Sequence, residues 1–352
     1  MSLTEAVIRG IALELPEARI SNELLGEQHP DWPIDKIAAM TGIRERRQAA
    51  DDKTALDLAE AAARRLLEEG PRLAEGEGCE PFDRAAIDTL LYCTQSPDYL
   101  MPTNACLLQE RLGLPTSTMA FDYNLGCTGY VYGLGVARAL IASGQSRCVL
   151  LITGETITRY MSHDDRNVRT VFGDAATATL IEAGDGEVSG GVIGPAVYGT
   201  DGSGAPHLMV ANAGYCGKPM DERSATDRDA PTLFMDGAEV FAFTLARVPQ
   251  TLNELYAKAG ISADDIDRFV FHQANQYMLN HLRRKLRIPE DKFILEIGDV
   301  GNTSSNTIPI ALARALGDGR IEKGQRAAVV GFGVGLRGFG AGRLALSCAA
   351  SD

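Results

Sequence analysis

Residues 87–95 read "IDTLLYCTQ", and residues 266–274 return the same pattern as "IDRFVFHQA". Each is an apolar, β-type run that ends in a polar cluster. Each is followed by a helix-like segment, "ACLLQERLGLP" in the first case and "YMLNHLRRKLRIP" in the second. Further along, "ARALIASGQSR" (137–147) is echoed by "ARALGDGRIEKGQR" (313–326). Those segments precede two buried-strand runs, "CVLLITGE" (148–155) and "AAVVGFGVG" (327–335). One strand–helix–strand unit therefore occurs twice, in the same order, and internal duplication on this scale leaves few folds open. Apolar strands alternating with helices predict an α/β protein with parallel sheets covered by helices. Two copies predict two halves, 1–184 and 185–352, packed as a pseudo-dimer within one chain.

The rest of the chain suits that plan. Its 352 residues, 45% hydrophobic and 23% charged, supply a substantial core. A formal net charge of −13 argues against a general nucleic-acid binder, since nothing offsets phosphate repulsion globally. No apolar run approaches the ~20 residues of a spanning helix, and the opening "MSLTEAVIRGIALELP" lacks a signal-peptide pattern, so no membrane role is expected. The seven cysteines are scattered without a CxxC pair, which predicts reduced cytoplasmic thiols and no metal site. Residues 54–67 read as a helix. The acidic stretch 68–80 and the Gly/Asp/Pro-rich stretch 199–231 read as a surface loop and an insertion.

In equivalent units, strand ends and helix starts carry Cys127 in the first half, and His272 and Asn302 in the second. Ligand sites in open α/β sheets gather at such places. Cys127, in "NLGCTGY", stands at the start of a helix-like run, where free N–H groups and the positive end of the helix dipole favour a thiolate. It reads equally as a buried, inert cysteine. Small residues at 129, 133, 135, 137, 139 and 142 predict a helix crowded on most sides. His272, in "FVFHQAN", is either a catalyst or a hydrogen-bonded structural residue. Asn302, in "GNTSSNTIP", falls in a cluster that also reads as a turn with a helix cap, Pro309 fitting the first helical turn. "VVGFGVGLRGFG" (329–340) is a glycine turn whose exposed N–H groups suit an oxyanion. It is no dinucleotide fingerprint, because a strand-like run follows it.

Together, "NLGCTGY", "FHQAN", "GNTSSNTIP" and "GFGVGL" resemble the β-ketoacyl-ACP synthase III family of the thiolase superfamily. "TGIRERR" (41–47) and "VFGDAATA" (171–178) extend the resemblance over nearly the whole chain, in order. The resemblance implies a thiolase-like fold of two duplicated βαβαβαββ halves, layered α-β-α-β-α, in a homodimer. It implies that Cys127 takes an acyl group from a thioester, with the N–H groups of Cys127 and Val334 as oxyanion hole. His272 and Asn302 would then stabilise the enolate formed when a malonyl-type thioester loses CO2. The implied substrates are acyl-CoA, acyl carrier protein or both, with no cofactor beyond those thioesters. Two alternatives belong to the same fold: acyl transfer to an amine or alcohol without condensation, and a non-catalytic partner subunit of a ketosynthase heterodimer. A thiolase is disfavoured, since the C-terminal glycine loop lacks a second cysteine.

Departures from the family pattern bear on substrate. Lys36 and Met40 replace a Trp and an Arg that hold CoA, Trp32 lies four residues early, and Ala242 and Tyr277 replace two basic contacts. Arg166 keeps the position that stacks on adenine. The basic run Arg283, Arg284, Lys285 and Arg287 reads as a carrier-docking site or as a solvated helix face. Met101 matches the position that closes the neighbouring subunit's acyl pocket. These changes point to a specialised ketosynthase, such as one of secondary metabolism.

Overall fold

The computed structural model describes residues 4–73, 80–184, 190–210, 231–322, 324–333 and 341–347. The first-half strands are β1 (Ala6–Glu14), β2 (Arg19–Ser21), β3 (Glu45–Arg47), β4 (Thr89–Cys93), β5 (Met119–Tyr123), β6 (Cys148–Glu155) and β7 (Ala175–Ala183). Those of the second half are β8 (Gly190–Val197), β9 (Leu208–Val210), β10 (Leu233–Met235), β11 (Arg268–Phe271), β12 (Phe293–Ile294), β13 (Arg326–Val330) and β14 (Ala341–Ser347). Ten of them run β12-β11-β13-β14-β8-β1-β7-β6-β4-β5, while β2–β3 and β9–β10 are separate ribbons. Read from its two ends, this order is the same arrangement twice, meeting where β1 pairs with β8.

The duplication extends to single hydrogen bonds. Asp88 precedes β4 and its Oδ2 accepts from the Arg147 N–H (2.6 Å); Asp267 precedes β11 and its Oδ2 accepts from the Arg326 N–H (2.7 Å). The sheet differs from the all-parallel expectation. Among the described strands, only β5-β4-β6 and β12-β11-β13 pair in parallel, and β7, β1, β8 and β14 are antiparallel to their neighbours. Strands β6 and β7 are joined by residues 156–174, whose one α-helix, α6 (Arg166–Arg169), is too short to be the covering crossover that a parallel neighbour requires. Within 199–231, residues 202–207 form a short 3₁₀ turn and 208–210 the first strand of a ribbon, and 211–230 lie outside the described residues.

Helices fill the layers: α1 (Asn22–Gln28), α2 (Ile34–Thr41), α3 (Ala55–Glu68), α4 (Asn104–Leu112), α5 (Gly129–Ala142), α6 (Arg166–Arg169), α7 (Gly237–Ala259), α8 (Gln276–Lys285) and α9 (Thr307–Gly317). Helix α3 shows why they form where they do. Thr54 and Asp57 cap it reciprocally, and its buried residues recur at helical spacing from Ala55 to Leu67. Alternation along the strands then assigns the layers. In β4, Leu91 packs with α5, whereas Leu90 and Tyr92 pack with α3 and α4. In β13, Ala327 and Val329 share that central cluster with α9, whereas Ala328 and Val330 face α7 and α8. The result is α3/α4, a sheet leaf, the α5/α9 pair, a second leaf, then α7/α8, with both faces of each leaf buried.

The crowding expected around residues 129–142 is present. A Cβ on Gly129 would overlap the Cys93 Sγ, one on Gly133 the Tyr123 hydroxyl, and one on Gly135 the Tyr198 hydroxyl. Helix α5 therefore enters the core closely packed, and its first residue lies beside Ser305, in the turn just before α9.

Candidate active site

Cys127 sits in the turn between β5 and α5, partly exposed. Two other segments converge on it. A Cβ on Gly333 would lie 3.1 Å from the Cys127 Cβ and 3.5 Å from its Sγ, and one on Gly331 would lie 2.9 Å from the Thr128 Cα. The glycines after β13 thus let that turn lie against the thiol. From the other side comes the turn before α9, where a Cβ on Gly126 would meet the Ser304 Oγ at 3.1 Å.

That second turn is built to a demanding geometry. Gly301 has φ +70°, and a Cβ there would sit 2.7 Å from the Val171 carbonyl oxygen, so both conformation and space require glycine. Asn302 is anchored through its backbone: its N–H donates to Val171 O (2.8 Å), and its carbonyl accepts from the Gly173 N–H (3.1 Å). The "VFGD" segment therefore fixes where Asn302 stands. Ser304 follows with φ +54°, a rare conformation for a residue with a side chain, held by its neighbours.

Ser304 ties the three candidate residues together. Its N–H donates to Asn302 Oδ1 (3.0 Å), which leaves the Asn302 amide NH2 as the free, donating end. Its hydroxyl lies against the Cys127 turn, where a Cβ on Gly126 would meet it at 3.1 Å. Its carbonyl oxygen lies 3.1 Å from the Thr307 hydroxyl, and that hydroxyl lies 2.6 Å from Nδ1 of His272. His272 and Asn302 are both nearly fully buried. Phe332 packs edge-on against the imidazole, ring centroids 5.3 Å apart.

Two further bridges hold this turn to the first half. Asn306 does not cap α9 with its side chain. Instead its Oδ1 accepts from Thr153 Oγ1 (2.6 Å) and its Nδ2 donates to Ala175 O (3.0 Å). Glu155, fully buried at the end of β6, takes hydrogen bonds from the Gln95 N–H, the Ser96 hydroxyl and the Ser305 hydroxyl, each at 3.0 Å. Burial pushes its carboxyl up to about 8 against those three bonds, so it holds a proton near neutral pH. Ser304, Thr307 and Glu155 carry no signal in the sequence. "TSSNT" resembles any helix-capping cluster, and only the fold reveals what its hydroxyls face.

Burial favours the neutral forms of the site's titratable groups. Burial pushes the Cys127 thiol up to about 12, and any charge on Glu155 adds to this; a backbone hydrogen bond and the Ser304 hydroxyl lower it by less. The expectation of a thiolate held by a helix start is corrected accordingly. Helix α5 begins two residues later, at Gly129, and burial opposes the charged form that a helix start favours. Burial likewise lowers His272 to about 3, so the imidazole is neutral.

The remaining residues singled out by motif and charge are scattered. Val334 lies outside the described residues. Arg166 is exposed at the first residue of α6. Met101 is 77% exposed, beside Leu100 and Tyr99 at a protruding tip, and is no core filler. The basic run divides: Arg283 is spent on Glu290 (3.2 Å) and Ile288 O (3.4 Å), and Lys285 donates to Leu245 O (2.9 Å). Arg284 and Arg287 stay exposed. Near the start of α8, the Tyr277 ring packs at a tilt against Phe241 and His281 where the family pattern has a basic contact, and α2 packs closely enough that Gln276 covers Gly42.

A thiol, a neutral imidazole and an amide held by one turn on a duplicated α/β scaffold define a class of thioester-processing condensing enzymes. Comparison with known proteins narrows this. Residues 121–202 match the family described as 3-oxoacyl-[acyl-carrier-protein (ACP)] synthase III, and residues 256–342 match its C-terminal part. The β-ketoacyl-[acyl-carrier-protein] synthase III of Syntrophomonas wolfei is 33% identical over 94% of both chains. That of Alkalilimnicola ehrlichii is 35% identical over 95% of this chain and 97% of its own. A solved 3-oxoacyl-(acyl-carrier-protein) synthase III, 46% identical, superposes with a TM-score of 0.87 over 97% of this chain and 99% of that one. The priming β-ketosynthase of the R1128 polyketide pathway, 30% identical, gives 0.84 over 99% and 98%. The chain belongs to the β-ketoacyl-ACP synthase III family, the condensing ketosynthases of the thiolase superfamily.

A protonated resting thiol has a measurable consequence. Alkylation of Cys127 by iodoacetamide, followed by peptide mapping, should rise about tenfold per pH unit from pH 7 to 9 without levelling off. A plateau near pH 7 would mean a thiolate–imidazolium pair in place of two neutral groups.

Proposed function

We propose that this chain condenses a Cys127-bound acyl group with a malonyl-type thioester, releasing CO2. In the first half-reaction the Cys127 sulfur attacks a thioester carbonyl, and the thiol proton leaves with the departing pantetheine sulfur. The N–H of Cys127 stabilises the tetrahedral oxyanion, with that of Val334 as the second donor by family resemblance. In the second, the malonyl carboxylate leaves as CO2 and its electron pair passes to the thioester as an enolate. The Asn302 amide and the His272 Nε2–H donate to the enolate oxygen. The enolate carbon then attacks the acyl carbonyl and Cys127 departs, to be reprotonated. Neutral donors suit this step, because a charged acid would quench the carbanion. The observation that carries the reading is the single turn that holds Asn302 with its donor end free beside both Cys127 and the His272 support.

Intact-mass measurement after incubation with acyl-CoAs, paired with CO2 release from malonyl thioesters, tests the division of labour. Cys127→Ala should give no acyl adduct. Asn302→Ala should still acylate while condensation falls by about 10²–10³-fold. Normal condensation by Asn302→Ala would sink the mechanism.

The substrates proposed are acyl-CoA and acyl carrier protein, by likeness to relatives named for the carrier. Arg284 and Arg287 are the exposed charges suited to an acidic carrier. Arg284→Glu should slow turnover several-fold with carrier-borne malonyl donor, and added salt should do the same to the wild type. Free CoA donors should be untouched; equal loss with both would assign these charges to phosphate binding or structure.

A homodimer is proposed on two features of one flank. Strand β5 ends the ten-stranded sheet with Phe121 on its exposed side, and an unpaired edge invites a second strand. The apolar tip Tyr99–Leu100–Met101 adjoins it, since Asp122 of β5 accepts from the Asn104 and Ala105 N–H groups just after the tip (both 2.7 Å). Met101 would then close the partner's acyl pocket with an unbranched, deformable side chain. Primers longer than acetyl should acylate Cys127, and Met101→Phe should shift the mass-adduct profile toward short chains. An unchanged profile would remove Met101 from the pocket.

A further inference from the structure

We infer that Thr307 is a positioning residue that sets the tautomer of His272, its hydroxyl donating to Nδ1 so that Nε2 carries the proton. This rests on the condensing role proposed for His272 and goes beyond it, by naming the group that makes the imidazole a donor.

A neutral imidazole has one N–H and one bare nitrogen, and only its second ring contact decides which is which. Here that contact is one hydroxyl. Nδ1 lies 2.6 Å from Thr307 Oγ1, and Nε2 makes no hydrogen bond among the described residues. The hydroxyl has a single proton and two acceptors in reach, Nδ1 and the Ser304 carbonyl at 3.1 Å. If the proton pointed to Ser304, Thr307 would accept from Nδ1–H. Nε2 would then turn a bare lone pair toward the enolate oxygen and repel it.

The Ser304 carbonyl does not need that proton. It already accepts the backbone N–H of Thr307, the residue that closes the 3₁₀ turn and opens α9. The nearer acceptor, Nδ1, has no other donor among the described residues. In a buried site an unsatisfied acceptor costs more than a second bond to a satisfied carbonyl gains. The hydroxyl proton therefore goes to Nδ1. Threonine is itself held there, nearly fully buried, so its rotamer is not free to wander. Asn302 receives parallel treatment: the Ser304 N–H occupies its oxygen and leaves its NH2 outward. Both donors of the enolate hole are thus oriented from one turn, one by a backbone N–H and the other by a hydroxyl.

The test combines a spectrum with a reaction, both on the full-length enzyme. Long-range ¹H–¹⁵N correlation on ¹⁵N-histidine-labelled protein reports the tautomer, with His272 assigned among the five histidines from the His272→Gln spectrum. The wild type should show the neutral Nε2–H form. Thr307→Val, close in shape but without the hydroxyl, should shift the ring toward Nδ1–H. It should lower condensation about 10- to 100-fold, less than outright deletion of a donor, because the Nε2–H form is still reachable. The acyl mass adduct on Cys127 should form as in the wild type, showing that the variant is folded. Thr307→Ser should restore both tautomer and rate. An Nδ1–H ring in the wild type, or wild-type condensation with an Nε2–H ring in Thr307→Val, would overturn the inference. A wild type that acylates but never condenses would instead overturn the functional reading, and the spectrum would still decide the tautomer.

Discussion

The backbone of Ser304, forced into the left-handed region, is the constraint on which the site depends. In that conformation one residue can turn its N–H toward Asn302, its side chain toward the Cys127 turn and its carbonyl toward Thr307. An ordinary helical or extended conformation would send these groups elsewhere. Such strain persists only where surroundings over-determine it, typically at a cost of roughly 1–3 kcal/mol. Here they do: Asn302 is pinned by Val171 and Gly173, Ser305 by Glu155, and Asn306 by Thr153 and Ala175. The partners of this turn belong to the first half of the chain, so the reactive geometry exists only once both halves have packed.

Dryness shapes the chemistry as much as geometry does. Burial raises the thiol and the Glu155 carboxyl and lowers the imidazole, so all three favour their neutral forms at pH 7. A site of neutral groups offers no strong acid to a nascent carbanion. The same low polarity strengthens each fixed N–H dipole aimed at a developing oxyanion. The penalty falls on Cys127, which must lose its proton as it attacks.

The duplication, the strand ends and the trio Cys127, His272 and Asn302 are legible in the sequence because each leaves a local pattern: an apolar run, a polar terminus, a glycine-flanked turn. The antiparallel strands are less so. Residues 175–183 and 190–197 are as apolar as the parallel strands, and direction is set by connection, which periodicity does not encode. The protonation state of Cys127 escapes a linear reading because a helix start is visible in sequence while the desolvation around it is not. Ser304, Thr307 and Glu155 escape it for a related reason. Their roles depend on partners far away along the chain, or on a backbone angle, and a serine in a capping-type cluster looks like any other. Arg283 shows the converse, a charge that reads as docking surface and proves to be engaged by its own loop.

The central layer has an implication for how the protein comes apart. One of its two helices, α5, belongs to the first half and the other, α9, to the second, and a single apolar cluster includes both together with strands of each leaf. Neither half owns a complete core. Removing one would strip from the other the residues it contributes to that cluster and would unpair β1 from β8. An ancestor made of two separate copies would already have needed this shared seam. The two halves thus share a central core and one sheet, and opening one half alone would disrupt both.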